Sequence, residues 1–372
     1  MIYLDNAATT KPLGEAIDFA SVYNKDCYFN PSALYRGGLD AAKAVSDARA
    51  VILKYFGNAF DIIFTSCGSE ADNTAIFGSA RHGNYITTLG EHSAVYESFQ
   101  ELKNRGGDVK YAQLNKNGSV NIESLLSLVD DKTSFVSVVH VNNETGAIND
   151  INAIAKAVKE KNPRVVFHSD GVQAFGKLPY KISEDIDLYS VSAHKIGGLK
   201  GTGALIRKKT VHLFPLIFGG GQETGFRSGT ENVFGITVFG YAAKKRFETL
   251  DEDYKRIGDL KKLFLSKLCL SNFTVISDEN TSNYILSLSA ARLRGEVLQH
   301  MLDDYGIIIG TGSACSSRHR HSRILTECGY LSEILDGALR VSFCSDTTED
   351  EVIEAAAKLD ECVKKLKKVM IK

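Results

Sequence analysis

The chain has no excess of charge of either sign: 44 Lys plus Arg stand against 45 Asp plus Glu, a net of −1 over 372 residues. Without a global field, nothing electrostatic draws in nucleic acid or an anionic membrane. The one dense charge run (Lys364, Lys365, Lys367, Lys368 and Lys372) reads as the solvated face of a last helix. No apolar run approaches the ~20 residues that a membrane span needs. No basic region and apolar core of a signal peptide precede Ile2-Tyr3-Leu4-Asp5. These absences predict a cytoplasmic protein with neither nucleic-acid nor membrane partners.

Paired cysteine motifs are missing too. The seven cysteines are odd in number and irregularly spaced, with no Cys-x-x-Cys. That pattern excludes a disulfide framework or a zinc ribbon and fits a reducing compartment. Most are expected to be buried small hydrophobes. His319 and His321 stand two apart near Cys315 and Cys328, but no zinc spacing results, so no metal site is expected. There is no internal repeat, low-complexity segment or long linker. The glycine-rich stretch from Gly197 to Gly203 lacks the Gly-x-x-x-x-Gly-Lys-Ser/Thr of a nucleotide loop.

What remains is a globular composition, 44% hydrophobic and 24% charged. The length exceeds a typical domain of roughly 100–200 residues and predicts two units. Short apolar runs read as buried strands at Ile62 to Thr65, Phe135 to His140, Val165 to Phe167, Leu188 to Val191 and Ala204 to Ile206. Helical patterns lie between them. One places Ile151, Ile154, Ala155 and Val158 at i, i+3, i+4 and i+7, after a cap at Asp150 and before Pro163. The alternation predicts an α/β fold with a mostly parallel sheet covered by helices. Beyond a boundary near residue 255 the pattern changes. Strands at Ser282 to Leu288 and Arg340 to Phe343, a helix at Glu296 to Asp304, and a Thr348/Glu351 capping box before a helix to about Lys368 predict a smaller α+β unit.

Three strand ends carry chemistry. Lys195 follows a strand in Ser192-Ala193-His194-Lys195, where its amine could reach into a cleft and form a Schiff base. Asp170 follows another strand, in His168-Ser169-Asp170-Gly171-Val172-Gln173. A carboxylate near such a lysine is the pairing used with pyridoxal phosphate (PLP), whose protonated ring nitrogen needs an anion if the ring is to act as an electron sink. Thr65-Ser66-Cys67-Gly68-Ser69-Glu70-Ala71-Asp72 joins a strand to a helix, with small residues that free backbone N–H groups for a phosphate.

With Tyr3 to Thr10, Asn30-Pro31-Ser32, Glu91-His92, Asn142-Asn143-Glu144, Arg227-Ser228-Gly229-Thr230 and Gly312-Ser313-Ala314-Cys315, these motifs resemble the group I cysteine desulfurases. These are members of the class V aminotransferase family of PLP enzymes. The resemblance covers almost the whole chain. It implies a fold-type I PLP transferase with a large domain (14–255) built on a seven-stranded-type sheet. A small domain (1–13 and 256–372) would carry a mobile cysteine loop. It implies conversion of L-cysteine to L-alanine, with the sulfur passing to Cys315 as a persulfide. It further implies a homodimer that delivers sulfur to an acceptor or iron–sulfur scaffold protein. By the same resemblance Lys195 would hold the cofactor and move the proton, assisted by His92 against the ring. Asp170 would hold the ring nitrogen, and Gln173 and Asn143 the phenolic oxygen side. Gly68, Ser69, Ser192 and His194 would bind the phosphate, with Thr230 reaching it from the second subunit. Arg340, with Asn143 nearby, would take the substrate carboxylate as a bidentate fork.

The sequence departs from the family where Cys67-Gly68-Ser69 replaces the usual Gly-Ala-Thr, and where a basic Arg318-His319-Arg320-His321 follows Cys315. Other readings weighed against the desulfurase are a selenocysteine lyase or aminotransferase of the same family, a non-catalytic sulfur-assembly partner, and a cysteine hydrolase using Cys315 with His319.

Overall fold

The computed structural model describes residues 1–311 and 321–370. The expected site residue Cys315, with Arg318, His319 and Arg320, lies outside the described residues.

The strands in chain order are β1 (Ile2–Leu4), β2 (Phe60–Thr65), β3 (Asn84–Thr88), β4 (Asp108–Ala112), β5 (Thr133–Ser137) and β6 (Val166–Asp170). They continue with β7 (Leu188–Ser192), β8 (Gly203–Lys208), β9 (Thr274–Val275), β10 (Ile285–Ser289), β11 (Ile307–Thr311) and β12 (Ala338–Ser342). Strands β2 to β8 form one sheet in the order β2-β8-β7-β6-β5-β3-β4. The pairs β4/β3, β3/β5, β5/β6 and β6/β7 are parallel, while β8 is antiparallel to both of its neighbours. Every residue of β3, β6 and β7 is buried, as a sheet covered by helices on both faces requires.

Parallel strands place their C-terminal ends on one edge, the usual crevice for ligands in open α/β sheets. Asp170 ends β6, and Ser192 ends the adjacent β7. A single 3-10 turn, Ala193–Lys195, then carries the lysine over that edge. The run predicted as a strand from Phe135 to His140 ends as β5 at Ser137. Its backbone still follows β6, with Val138 N donating to His168 O and His140 N to Asp170 O. The helix Ile151–Lys161 is capped as its sequence predicts, with Ala153 N donating to Asp150 Oδ1.

The second sheet has the order β1-β11-β12-β10-β9. Its first strand comes from the beginning of the described chain, parallel to β11. Helices Leu250–Lys267, Gly295–Asp303 and Glu349–Met370 cover it, and Ile257, Leu298, Leu302, Val352 and Leu359 join its core. Thr348 and Glu351 form the predicted capping box, Thr348 N to Glu351 Oε2 at 2.9 Å and Glu351 N to Thr348 Oγ1 at 3.3 Å. Asn6 ties the ends of the sheet to the site edge: its Nδ2 donates to Ser342 O, 336 residues away in sequence.

Candidate active site

A cavity of about 280 Å³ opens at the C-terminal edge of the large sheet, between it and the second sheet. Its wall contains Gly68, Ser69, His92, Asn143, Asp170, Gln173, Ser192, His194, Lys195 and Arg340. Ten residues proposed from sequence motifs scattered over more than 270 positions therefore meet in one place.

Each is carried there by a simple local device. Helix Gly68–Gly78 starts at the cavity because Cys67, in extended backbone, caps it; Glu70 N donates to Cys67 Sγ at 3.4 Å. Gly68 has no room for a side chain, since a Cβ there would stand 2.9 Å from Val172 Cγ2. His92 caps helix Ser93–Asn104 with its own ring, Ala94 N donating to Nδ1 at 3.2 Å. With Nδ1 used as an acceptor, the proton of the neutral ring belongs on Nε2. Burial lowers the His92 pKa against the opposing pull of Asp170, so the ring is held neutral.

Asp170 is buried, and its Oδ1 accepts from Val172 N at 2.9 Å. Burial raises its pKa, while His92 and Lys195 pull it down. Such a carboxyl is poised for a cationic partner, which would remove the cost of burying its charge. Asp72, also in the cavity wall, is pushed well above the usual carboxyl range by burial and then by Asp170. His194 is lowered to about 4 by burial and by Lys195. Lys195 Nζ donates to Ala7 O at 2.6 Å and Ala8 O at 2.7 Å. Gln173 Nε2 also donates to Ala7 O, at 2.8 Å. Its Oε1 accepts from the buried Lys177, whose pKa burial lowers to about 7.

Two expected residues remain. Cys315 is outside the described residues. Thr230 is exposed and lines a separate cavity of about 160 Å³ with Thr65, Ser66, Thr202, Glu223 and Arg227. The cysteines depart in part from the expectation of burial. Cys328 and Cys362 are buried, and burial raises the Cys328 thiol to about 12. Cys269, following a helix end, is exposed, and Cys67 lines the cavity because it caps the helix there. His321 Nε2 lies 2.9 Å from Asp336 Oδ1.

The wall fits pyridoxal phosphate. Ser192 Oγ and Asn143 Oδ1 are buried and without a hydrogen-bond partner among the described residues. Ser192 faces the N-terminus of helix Gly68–Gly78, its Cβ 3.5 Å from where a Gly68 Cβ would be. An anion at that point would meet a hydroxyl, free N–H groups and the positive end of the helix dipole. A lysine amine and a buried carboxyl complete the polarity that the group requires.

The sequence profile for "Aminotransferase class-V" matches residues 2–354. The chain belongs to that family. The putative cysteine desulfurase IscS 1 of Bacillus subtilis is 38% identical, covering 98% of this chain and 99% of the relative. The cysteine desulfurase of Trichormus azollae is 36% identical, covering 99% of this chain and 94% of the relative. Among solved structures, a NifS-like protein superposes with a TM-score of 0.92 at 35% identity, covering 98% of this chain and all of the other. Another, from Rickettsia africae, gives 0.88 at 30% identity over 98% of this chain and 99% of the other. The class-V fold, with its seven-stranded and mostly parallel sheet, is thus the fold read from the sequence. No helix among the described residues is long and apolar enough to cross a membrane.

Proposed function

We propose that the protein is a cysteine desulfurase that uses pyridoxal phosphate to convert L-cysteine to L-alanine and passes the sulfur to Cys315. One observation carries this reading. A lysine, a buried aspartate, a neutral histidine, an anion cradle and a buried arginine line a single cavity. The family relatives are named for this activity.

Pyridoxal phosphate, when bound, supplies the electron sink that labilises bonds at the substrate's Cα and Cβ. Lys195 would hold it covalently. Gly68, Ser69, Ser192 and His194 would hold its phosphate, Asp170 its ring nitrogen, and Gln173 with Asn143 its phenolic oxygen. Thr230 would serve the phosphate of a partner subunit in a homodimer. The protein's own groups then divide the work on the substrate. The buried Arg340 guanidinium orients the α-carboxylate, and Asn143 O fixes that guanidinium by accepting from Nη1 at 2.9 Å. The Lys195 amine and the Nε2–H of neutral His92 move the proton at the reacting carbons. The Cys315 thiolate takes the sulfur: the substrate's C–S bond breaks, an S–S bond forms, and carbon is reduced as sulfur is oxidised. L-cysteine plus one thiol becomes L-alanine plus one persulfide, with no external redox agent. The persulfide then serves a sulfur acceptor such as an iron–sulfur scaffold, in the cytoplasm. The two sheets with their helices would act as the two units, 14–255 and 1–13 with 256–372, that enclose the substrate.

The test uses the holoenzyme and L-cysteine. Wild type should form alanine, and its Cys315 peptide should gain the mass of one sulfur atom. Cys315→Ser should keep the cofactor and make almost no alanine. Alanine formation at the wild-type rate by Cys315→Ser would replace this reading with a lyase or a transaminase.

A further inference from the structure

Arg340 enters the cavity from β12, and its guanidinium is almost fully buried. Its Nη1 is committed to Asn143 O. Its Nη2 donates to Asp5 Oδ1 at 2.7 Å. Its Nε is buried and has no hydrogen-bond partner among the described residues. A carboxylate approaching side-on uses Nε and Nη2 together, the parallel pair of N–H bonds that guanidinium presents. One of those two donors meets no partner among the described residues, and the other is held by a carboxylate of the chain itself.

The fold builds this arrangement deliberately. Asp5 lies just beyond β1 and bridges to Ser342 at the end of β12. Gly310 of β11 is the register partner of Arg340. A Cβ at Gly310 would stand 2.6 Å from Asp5 Oδ1, 3.0 Å from Arg340 Nη2 and 3.2 Å from its Nε. The glycine keeps open the space in which the ion pair and the unpartnered edge of the fork meet. The Asp5 backbone is secured independently of its side chain, since Tyr3 OH and Ala8 N both donate to Asp5 O. The Asp5 side chain keeps about 15% of its surface exposed, against 4% for Arg340, so it has somewhere to yield.

We propose that Asp5 is the internal counter-ion of the substrate-carboxylate site: it occupies the Nη2 edge of Arg340 that the substrate's α-carboxylate takes, and its charge sets how tightly that carboxylate is held. Resting occupancy by Asp5 keeps a buried guanidinium from standing unpaired between turnovers. It also discriminates. A ligand that offers a single oxygen to Nε does not displace Asp5, whereas a two-oxygen carboxylate does. Asp5 is a positioning residue that acts through Arg340.

The inference rests on the reading of Arg340 as the carboxylate site, and the test separates the two. Holoenzyme is compared as wild type, Asp5→Asn, Asp5→Ser and Arg340→Gln. The readouts are KM for L-cysteine and inhibition by two fragments, 3-mercaptopropionate (carboxylate and thiol, no amine) and cysteamine (amine and thiol, no carboxylate). Removing the Asp5 charge should lower KM and the 3-mercaptopropionate inhibition constant by about tenfold, or ~1.4 kcal/mol, and leave cysteamine inhibition unchanged. A merely structural role would weaken all three ligands or none. Unchanged or weaker 3-mercaptopropionate binding in the Asp5 variants, with Arg340→Gln weakening it, overturns the Asp5 inference alone. If Arg340→Gln leaves both carboxylate ligands unaffected, the carboxylate site itself is elsewhere. Should both Asp5 variants fail to fold or to retain cofactor, Asp5 belongs to the framework and the proposal falls.

Discussion

Arg323 Nη2 donates to the backbone oxygen of Glu91 at 2.6 Å, and its guanidinium lies 3.8 Å from the centre of the Tyr96 ring. Its Nη1 also donates to Leu89 O. Next to it, Ser322 Oγ donates to Glu144 Oε2. The chain that follows Cys315 in sequence is thus fastened, at 322 and 323, to the residues preceding His92 and following Asn143.

Arg323 thus braces the backbone just before His92 and is expected to position that ring. Arg323→Met keeps the side-chain bulk and removes the donors. We expect cofactor loading to persist, kcat to fall about tenfold, and stability to drop by about 2 kcal/mol, the scale of a lost charged hydrogen bond. Urea unfolding and steady-state kinetics measure the two effects. An unaltered kcat with the stability loss intact would confine Arg323 to the framework.

Glu144 gives the fold a pH dependence of known sign. Burial raises its carboxyl to about 7, against the lowering influence of Ser322, Arg340 and Arg323. An unfolded Glu releases its proton near ~4.3. The folded state therefore holds the extra proton, and this contribution to stability is complete below that value and is lost as pH rises to about 7. Glu144→Gln, which cannot ionise, should flatten the fall in stability between pH 5 and pH 8. Urea midpoints across that range would show it, and a slope equal to wild type would remove Glu144 as the cause.

Lys195 is the covalent attachment point in the proposed function. Borohydride reduction of the yellow holoenzyme, followed by peptide mapping, should place the adduct on Lys195. Lys177 is the informative competitor, since burial lowers its pKa to about 7. Label on Lys177 would reassign the site.

Thr230 lines a cavity distinct from that of Lys195 within one chain. If it serves a partner's phosphate, mixing Lys195→Ala and Thr230→Ala subunits should restore activity in the heterodimers. Confirmed subunit exchange without recovery would show that each chain works alone.

The sequence made the large sheet legible where strands are continuous apolar runs, as in β2, β7 and β8. It did not reveal β3, Asn84–Thr88, whose threonines and asparagine are buried all the same. Polar strand residues are hidden there by the helices Ser93–Asn104 and Ile122–Leu128 that pack on the strand, which its own residue pattern cannot report. Lys195 and Asp170 could be read from strand-end chemistry. Arg340 could not, because alone it reads as an exposed surface arginine, yet the fold buries it. Resemblance supplied its role. Asp5 and Asp72 stood inside quoted motifs without being singled out. Their significance comes from the bond between Asp5 and Arg340, across 335 residues, and from the charge of Asp170 acting on Asp72. No local signal marks such a pairing.

The placement of β1 beside β11, with Asn6 bonded to Ser342, has a consequence for biosynthesis. The segment that contacts Lys195 leaves the ribosome well before the strand that carries Arg340. At roughly 5–20 residues per second, synthesis of the stretch between them occupies many seconds. During that interval the seven-stranded sheet can fold, but the substrate pocket has no second wall. A nascent chain can complete the proposed cofactor cradle while β12 is still to come; the wall that Arg340 contributes is added only afterwards.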